Sequence, residues 1–153
     1  MTLMLSSPNS FTFRVIGTPV PQGSMKAYNN RVTANNHDAL MSWRQDVAVA
    51  AYRHKPEDWD INKPVSLRCE FVFPRPMTHY GTGKNIDKVK DSAPTHHIVM
   101  PDLDKLIRSI GDAISTGRVL LRNDSLITSV YAVKRYALDD FLGAIITITA
   151  IDD

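Results

Sequence analysis

Residues 101–117 read Pro-Asp-Leu-Asp-Lys-Leu-Ile-Arg-Ser-Ile-Gly-Asp-Ala-Ile-Ser-Thr-Gly, and no other stretch restricts the fold as tightly. Leu103, Leu106, Ile107, Ile110 and Ile114 recur at three- and four-residue spacing, which predicts a helix over about 102–115 with one buried stripe. Asp104, Arg108 and Asp112 are four apart and line one edge of it. Pro101 biases Met100 to an extended conformation and so sets Asp102 at the helix entry. Gly117 is placed to end the helix.

The other elements follow from simpler periodicities. Phe11–Gly17 alternates apolar and polar residues and reads as a strand, and Pro19, Pro21 and Gly23 punctuate the loop after it. Leu40, Trp43, Val47 and Ala50 or Ala51 mark the buried face of a helix from about Asn36 to Arg53, with Asn35 or Asn36 as its cap. Val65, Leu67, Cys69, Phe71 and Phe73 alternate with Ser66, Arg68 and Glu70 in the clearest strand of the chain. Residues 77–97 carry two glycines, several lysines and few apolar side chains, as a functional or disordered loop does. Ile127–Tyr136 and Ala144–Ile151 read as strands joined by a hairpin loop at 137–143. The order β, α, β, α, β, β predicts an α+β fold: a mixed sheet packed with two main helices in a single domain over 11–153, preceded by a flexible N-terminus at 1–10.

A chain of 153 residues can bury a core without disulfides, and the lone Cys69, inside a strand, reads as a small core residue. One cysteine fits a reducing, cytoplasmic setting. The N-terminus lacks the basic and apolar regions of a signal peptide, and no apolar run is long enough to span a membrane. The net charge of +2 permits nucleic-acid binding without arguing for it. Its distribution says more. Lys26, Arg31, Lys84, Lys88 and Lys90 lie in or beside loops, whereas acidic residues gather at 57–60, 102–112 and 139–140.

Carboxylates gathered at one helix entry suit a divalent metal, and such a metal suits a phosphate ester. Asp102, Asp104 and Asp124, with Arg108 beside them, are the candidates. A plainer reading uses the same residues: Asp102 as a helix cap, Asp104 as a first-turn charge favoured by the helix dipole, Arg108 as its ion-pair partner, Asp124 as a turn residue. Other chemistries fit poorly. Leu106 and Ile107 stand where a calcium loop needs an oxygen ligand and a glycine. His96-His97 has no cysteine or spaced histidine to make a zinc site. There is no phosphate loop and no Gly-x-Ser-x-Gly elbow.

Pro101-Asp102-Leu103-Asp104-Lys105-Leu106-Ile107-Arg108, then Asp112-Ala113-Ile114, then Asn123-Asp124-Ser125-Leu126-Ile127, resembles the hallmark of the RusA-type Holliday junction resolvases. Gly17–Ser24 is similar to the loop after the first strand in many members. The resemblance implies a homodimeric, Mg²⁺-dependent endonuclease, with Mn²⁺ as a substitute, that nicks four-way DNA symmetrically during recombination and repair. It implies Asp102, Asp104 and Asp124 as metal-binding catalytic carboxylates and Arg108 in place of a catalytic lysine. His97 and Asp112 match accessory positions, and a phage or prophage origin in a bacterial cytoplasm accords with the family. Three positions depart from the pattern: Lys105 for Asn, Arg108 for Lys, and Asn123 for the first Asp of the late pair.

On this reading Lys26, Arg31, Lys84, Lys88, Lys90 and Lys105 supply phosphate contacts. Two alternatives stand beside it: a junction-binding protein without catalytic activity, and a general branched-DNA or flap nuclease.

Overall fold

Phe11, Phe13 and Val15 alternate with Thr12 and Arg14, and the period of two turns the first three inward from strand β1 (Ser10–Ile16). The computed structural model describes residues 9–23 and 30–152, with side chains of the first turns of the long helix, 30–35, outside that description. Helix α1 (Asn30–His54), strand β2 (Val65–Phe73), helix α2 (Leu103–Ser115) and strands β3 (Ile127–Tyr136) and β4 (Gly143–Ala150) follow. The four strands form one sheet in the order β1-β4-β2-β3, in which only the β2–β3 pair is parallel. This is the expected α+β arrangement of a mixed sheet and two helices.

Register builds the core. Ile146 stands opposite both Phe13 and Cys69, and Ile148 opposite both Phe11 and Leu67. Both helices cover this face, so Trp43, Val47 and Ala51 of α1 and Leu106, Ile110, Ala113 and Ile114 of α2 join the same cluster. Truncating a fully buried leucine typically costs about 2–5 kcal/mol. Leu106 therefore anchors the first turn of α2 firmly, two residues from Asp104. Burial pushes the Cys69 thiol up to about 12, which keeps it protonated and unreactive. The opposite face of the sheet carries hydroxyl pairs: Ser10 with Thr149 at 2.9 Å and Thr12 with Thr147 at 2.8 Å.

Three expectations are corrected. First, β3 and β4 do not form a hairpin, because β2 lies between them. Ile145, Ile146 and Ile148 make β4 a strand suited to pairing on both sides, whereas β3 exposes Val130 and Tyr131 and takes the edge. The connection at 137–142 crosses β2, a span of roughly 10 Å that six residues cover easily. Second, α1 begins at Asn30 rather than near Asn36. Asn35 and Asn36 continue the helix, since asparagine inside a helix costs only about 0.7 kcal/mol relative to alanine. Third, of the two readings of the long segment after β2, functional or disordered, disorder does not hold. The segment contains short 3₁₀ turns at Met77–His79 and Gly83–Asn85, with a bridge between Tyr80 and Val89.

Two of the four glycines with positive φ shape the frame around α2 and the β1–β4 pair. Gly143 has φ +146°, and a Cβ there would stand 1.9 Å from the Val15 carbonyl oxygen, so only glycine permits the β1–β4 approach. Gly117 takes the left-handed conformation (φ 72°) just after α2, as the sequence predicts. Among the described residues no helix is long and apolar enough to cross a membrane.

Candidate active site

The entry of α2 presents two exposed carboxylates, Asp102 at the cap position and Asp104 in the first turn. Asp102 is the cap residue, with extended backbone (φ −71°, ψ 138°), and its carbonyl accepts the Leu106 N–H at 3.1 Å. Its side chain makes no capping hydrogen bond. Instead Oδ2 accepts from Lys105 Nζ at 3.3 Å, in a partly exposed pair that contributes at most about 1 kcal/mol. Asp104 sits in the first turn and is exposed, as is Arg108 one turn further on. Arg108 makes no ion pair with Asp104, so the plainer reading of that pair as a surface salt bridge does not hold.

Neighbouring elements hold this entry in place. Lys134 of β3 donates to the carbonyls of Val99 at 2.6 Å and Pro101 at 2.9 Å, tying down the chain that leads into Asp102. The loop after β1 docks on the same turn: Gln22 N–H donates to the Lys105 carbonyl at 2.9 Å, and Gly23 lies against the Lys105 aliphatic chain. Reading the sequence for charge alone misses Lys134 as a support. The available signal was its parity: Ala132, Lys134 and Tyr136 share the inward side of β3, and a lysine there needs acceptors.

His97 is buried between Phe73, at 4.6 Å between ring centroids, and Tyr136, at 4.9 Å. Arg75 covers the Tyr136 ring at 4.3 Å and donates to the Pro94 carbonyl at 2.7 Å, which fastens the long loop to the end of β2 and β3. Burial, and then the charge of Lys134, lower the pKa of His97. The native state therefore favours the neutral ring, and the unfolded chain binds the proton more readily. Stability from this residue is present above the ordinary histidine pKa and is lost as pH falls below it. The melting temperature should drop between pH 7.5 and 5.5, and His97→Phe should flatten that drop; an equal drop in the variant would exclude His97 as its source.

Asp124 lies elsewhere. It opens a 3₁₀ turn (Asp124–Leu126) whose cap, Asn123, accepts the Ser125 N–H at 2.9 Å. It lines a polar cavity with Ser115, Gly117, Arg118, Arg122 and Asn123, beyond the C-terminal end of α2. β3 runs back along the helix, from Ile127 beside Gly111 to Lys134 beneath Pro101. With 13 residues, α2 separates its two ends by about 20 Å. One chain thus places Asp102 and Asp104 together and Asp124 at the far end, with Asp112 on the helix between. Among the described residues no group of three or more His, Cys, Asp or Glu side chains comes together to hold a metal.

The donor chemistry at the α2 entry nonetheless fits a hard cation. Two exposed carboxylates, with no thiolate beside them, match a Mg²⁺-type ion that completes its shell with water and phosphate oxygens. Of the expected phosphate contacts, Lys84, Lys88 and Lys90 are exposed on the long loop, and Lys105 is half-buried at the helix entry. Arg31 belongs to α1, with its side chain outside the described residues, as Lys26 is altogether.

Exposed carboxylates at a helix entry, with an arginine one turn on that forms no ion pair among the described residues, make the kind of site on which phosphodiester chemistry is built. The model of the family endodeoxyribonuclease RusA matches residues 17–149, nearly the whole chain, and the chain belongs to that family. It is accordingly an endodeoxyribonuclease, a hydrolase of DNA in a family that resolves Holliday junctions and generally depends on divalent metal. Comparison with curated proteins returns no match.

Proposed function

We propose that the protein is a Mg²⁺-dependent, structure-selective endonuclease that resolves four-way DNA by paired symmetric cuts, acting as a homodimer. The observation that carries this reading is the Asp102–Asp104 pair, exposed at the α2 entry and free of capping duty. Asp102 and Asp104 of one protomer would hold the metal, with Mn²⁺ as a substitute. Asp124 stands too far along the same chain to join them, so the third carboxylate comes from the partner in a two-fold dimer. Two cuts related by symmetry need two such sites.

When bound, the metal supplies an acidified water and charge neutralisation at the scissile phosphate. The chain's own residues do the rest. Arg108 donates to the non-bridging phosphate oxygens, where a charge-assisted bond strengthens as negative charge develops. Lys105 releases Asp102 at little cost, because their pair is partly exposed and weak. Lys134 and Gln22 hold the helix entry in register with β3 and the loop after β1. His97 is buried among aromatic rings and takes no proton from water; it serves the loop that delivers Asp102.

A synthetic four-way junction incubated with Mg²⁺ tests the reading. Symmetric nicks, with forks and plain duplex cut far more slowly, are expected. Binding without cleavage would favour a non-catalytic junction-binding protein, and equal rates on all three substrates a general branched-DNA nuclease.

Lys84, Lys88 and Lys90 give a second prediction. Each phosphate they neutralise releases counterions, so removing all three should flatten the log–log salt dependence of junction binding by up to about 3 units. An unchanged slope would remove that loop from the interface. The setting that suits this activity is the cytoplasm of a bacterial cell, with phage or prophage origin consistent with the family.

A further inference from the structure

The polar cavity beyond α2 has features that a single catalytic carboxylate does not need. Its volume is about 490 Å³, and Arg118 and Arg122 line it beside Asn123 and Asp124. Both arginines are exposed, and neither forms an ion pair among the described residues. Arg118 is also the one non-glycine residue with positive φ among those described, at 55°. A long side chain in the left-handed region is disfavoured unless something holds it there. Here it follows Gly117, itself left-handed, and both residues of this double reversal line the cavity.

The surroundings fix this corner without neutralising it. Arg122 N–H donates to the Ile61 carbonyl at 2.9 Å, which holds the backbone and leaves the guanidinium free. Asn123 spends its side-chain oxygen on the Ser125 N–H and adds no negative charge. Arg44 of α1 reaches the same corner through Thr116, donating to its hydroxyl at 3.3 Å. Two unpaired arginines lining an open polar hollow are donors for an anion with several oxygens. An isolated anion would be repelled by Asp124, but a phosphodiester that continues past it would not have to sit on the carboxylate.

We infer that Arg118 and Arg122 grip a phosphate of the DNA strand next to the one cleaved, so that the cavity is a strand-positioning site attached to Asp124. The inference rests on the nuclease reading above. It makes Arg118 and Arg122 binding residues, and it assigns the left-handed backbone of Arg118 a purpose: strain accepted to aim a guanidinium at DNA.

The test uses the full chain and a synthetic four-way junction, with Asp104→Asn as the background so that binding is read with Mg²⁺ present and cleavage suppressed. Arg118→Gly and Arg122→Gln should each make the log–log salt slope of binding shallower by about 0.9, and the double variant by about twice that. Arg118→Gly should keep or raise the melting temperature, since glycine adopts this backbone without penalty. It therefore leaves the question decidable even if Arg122→Gln unfolds the loop. In the cleaving parent, the same substitutions should raise KM more than they lower kcat. A parent that binds and cuts junctions while Arg118→Gly keeps its full salt slope would overturn the inference and spare the nuclease reading. A parent that neither binds nor cuts would bring down both.

Discussion

Asp104→Asn should leave a protein that binds a four-way junction as tightly as the parent and cuts it at least about 10²–10³-fold more slowly, the scale on which loss of one charge-stabilising group is felt. The change is nearly isosteric and sits on an exposed edge of α2, so folding should be untouched. What it removes is one of two anionic oxygens sets at the helix entry. Asp102 alone, already shared with Lys105, makes a poor cation site. Gel-shift binding and a cleavage time course, run on the same preparation, separate the two properties. Parent-like cleavage by the variant would exclude Asp104 from the metal site.

The second large effect concerns the partner. If Asp124 serves the α2 entry of the other protomer, Asp104→Asn and Asp124→Asn should complement each other. In a heterodimer of the two, one site collects both substitutions and the other collects none. Mixing two inactive proteins, with exchange of subunits, should therefore restore single nicks at up to about half of the dimers formed, the statistical share of the mixed species. If all three carboxylates served one site within one chain, both sites of the heterodimer would be damaged and no activity would return. Within one chain Asp124 lies beside Ser115, at the other end of α2 from Asp102 and Asp104, and no group of three acidic side chains forms among the described residues.

The elements were legible because their periods were clean. Val65–Phe73 and Ile127–Tyr136 lie where alternation predicts them, and Leu103–Ser115 where the apolar stripe does. Pro101 and Gly117 bracket α2 by steric rules that act within a few residues. Local rules do not give the start of α1 at Asn30, since an asparagine is a cap only when tertiary structure ends the helix there. Strand order was not legible. The hairpin expected between β3 and β4 is the shortest connection, and nothing in residues 137–143 forbids it. It loses because β4 carries a more continuous apolar run than β3 and pairs on both sides, which sends β3 to the far edge.

That same choice of strand order shapes the candidate site. By itself the sequence determined the chemistry on offer: hard oxygen donors at a helix entry, a cation one turn on, a second acidic turn further along and a family whose pattern they match. Those properties belong to side chains and short spacings, and they survive any packing of the sheet. The tertiary structure alone decided where each group stands. Running β3 parallel to β2 carries Lys134 beneath Pro101 and leaves Asp124 at the opposite end of α2, beside Arg118 and Arg122. Distances between residues far apart in the chain are set by which surfaces exclude water together, and no local rule encodes them.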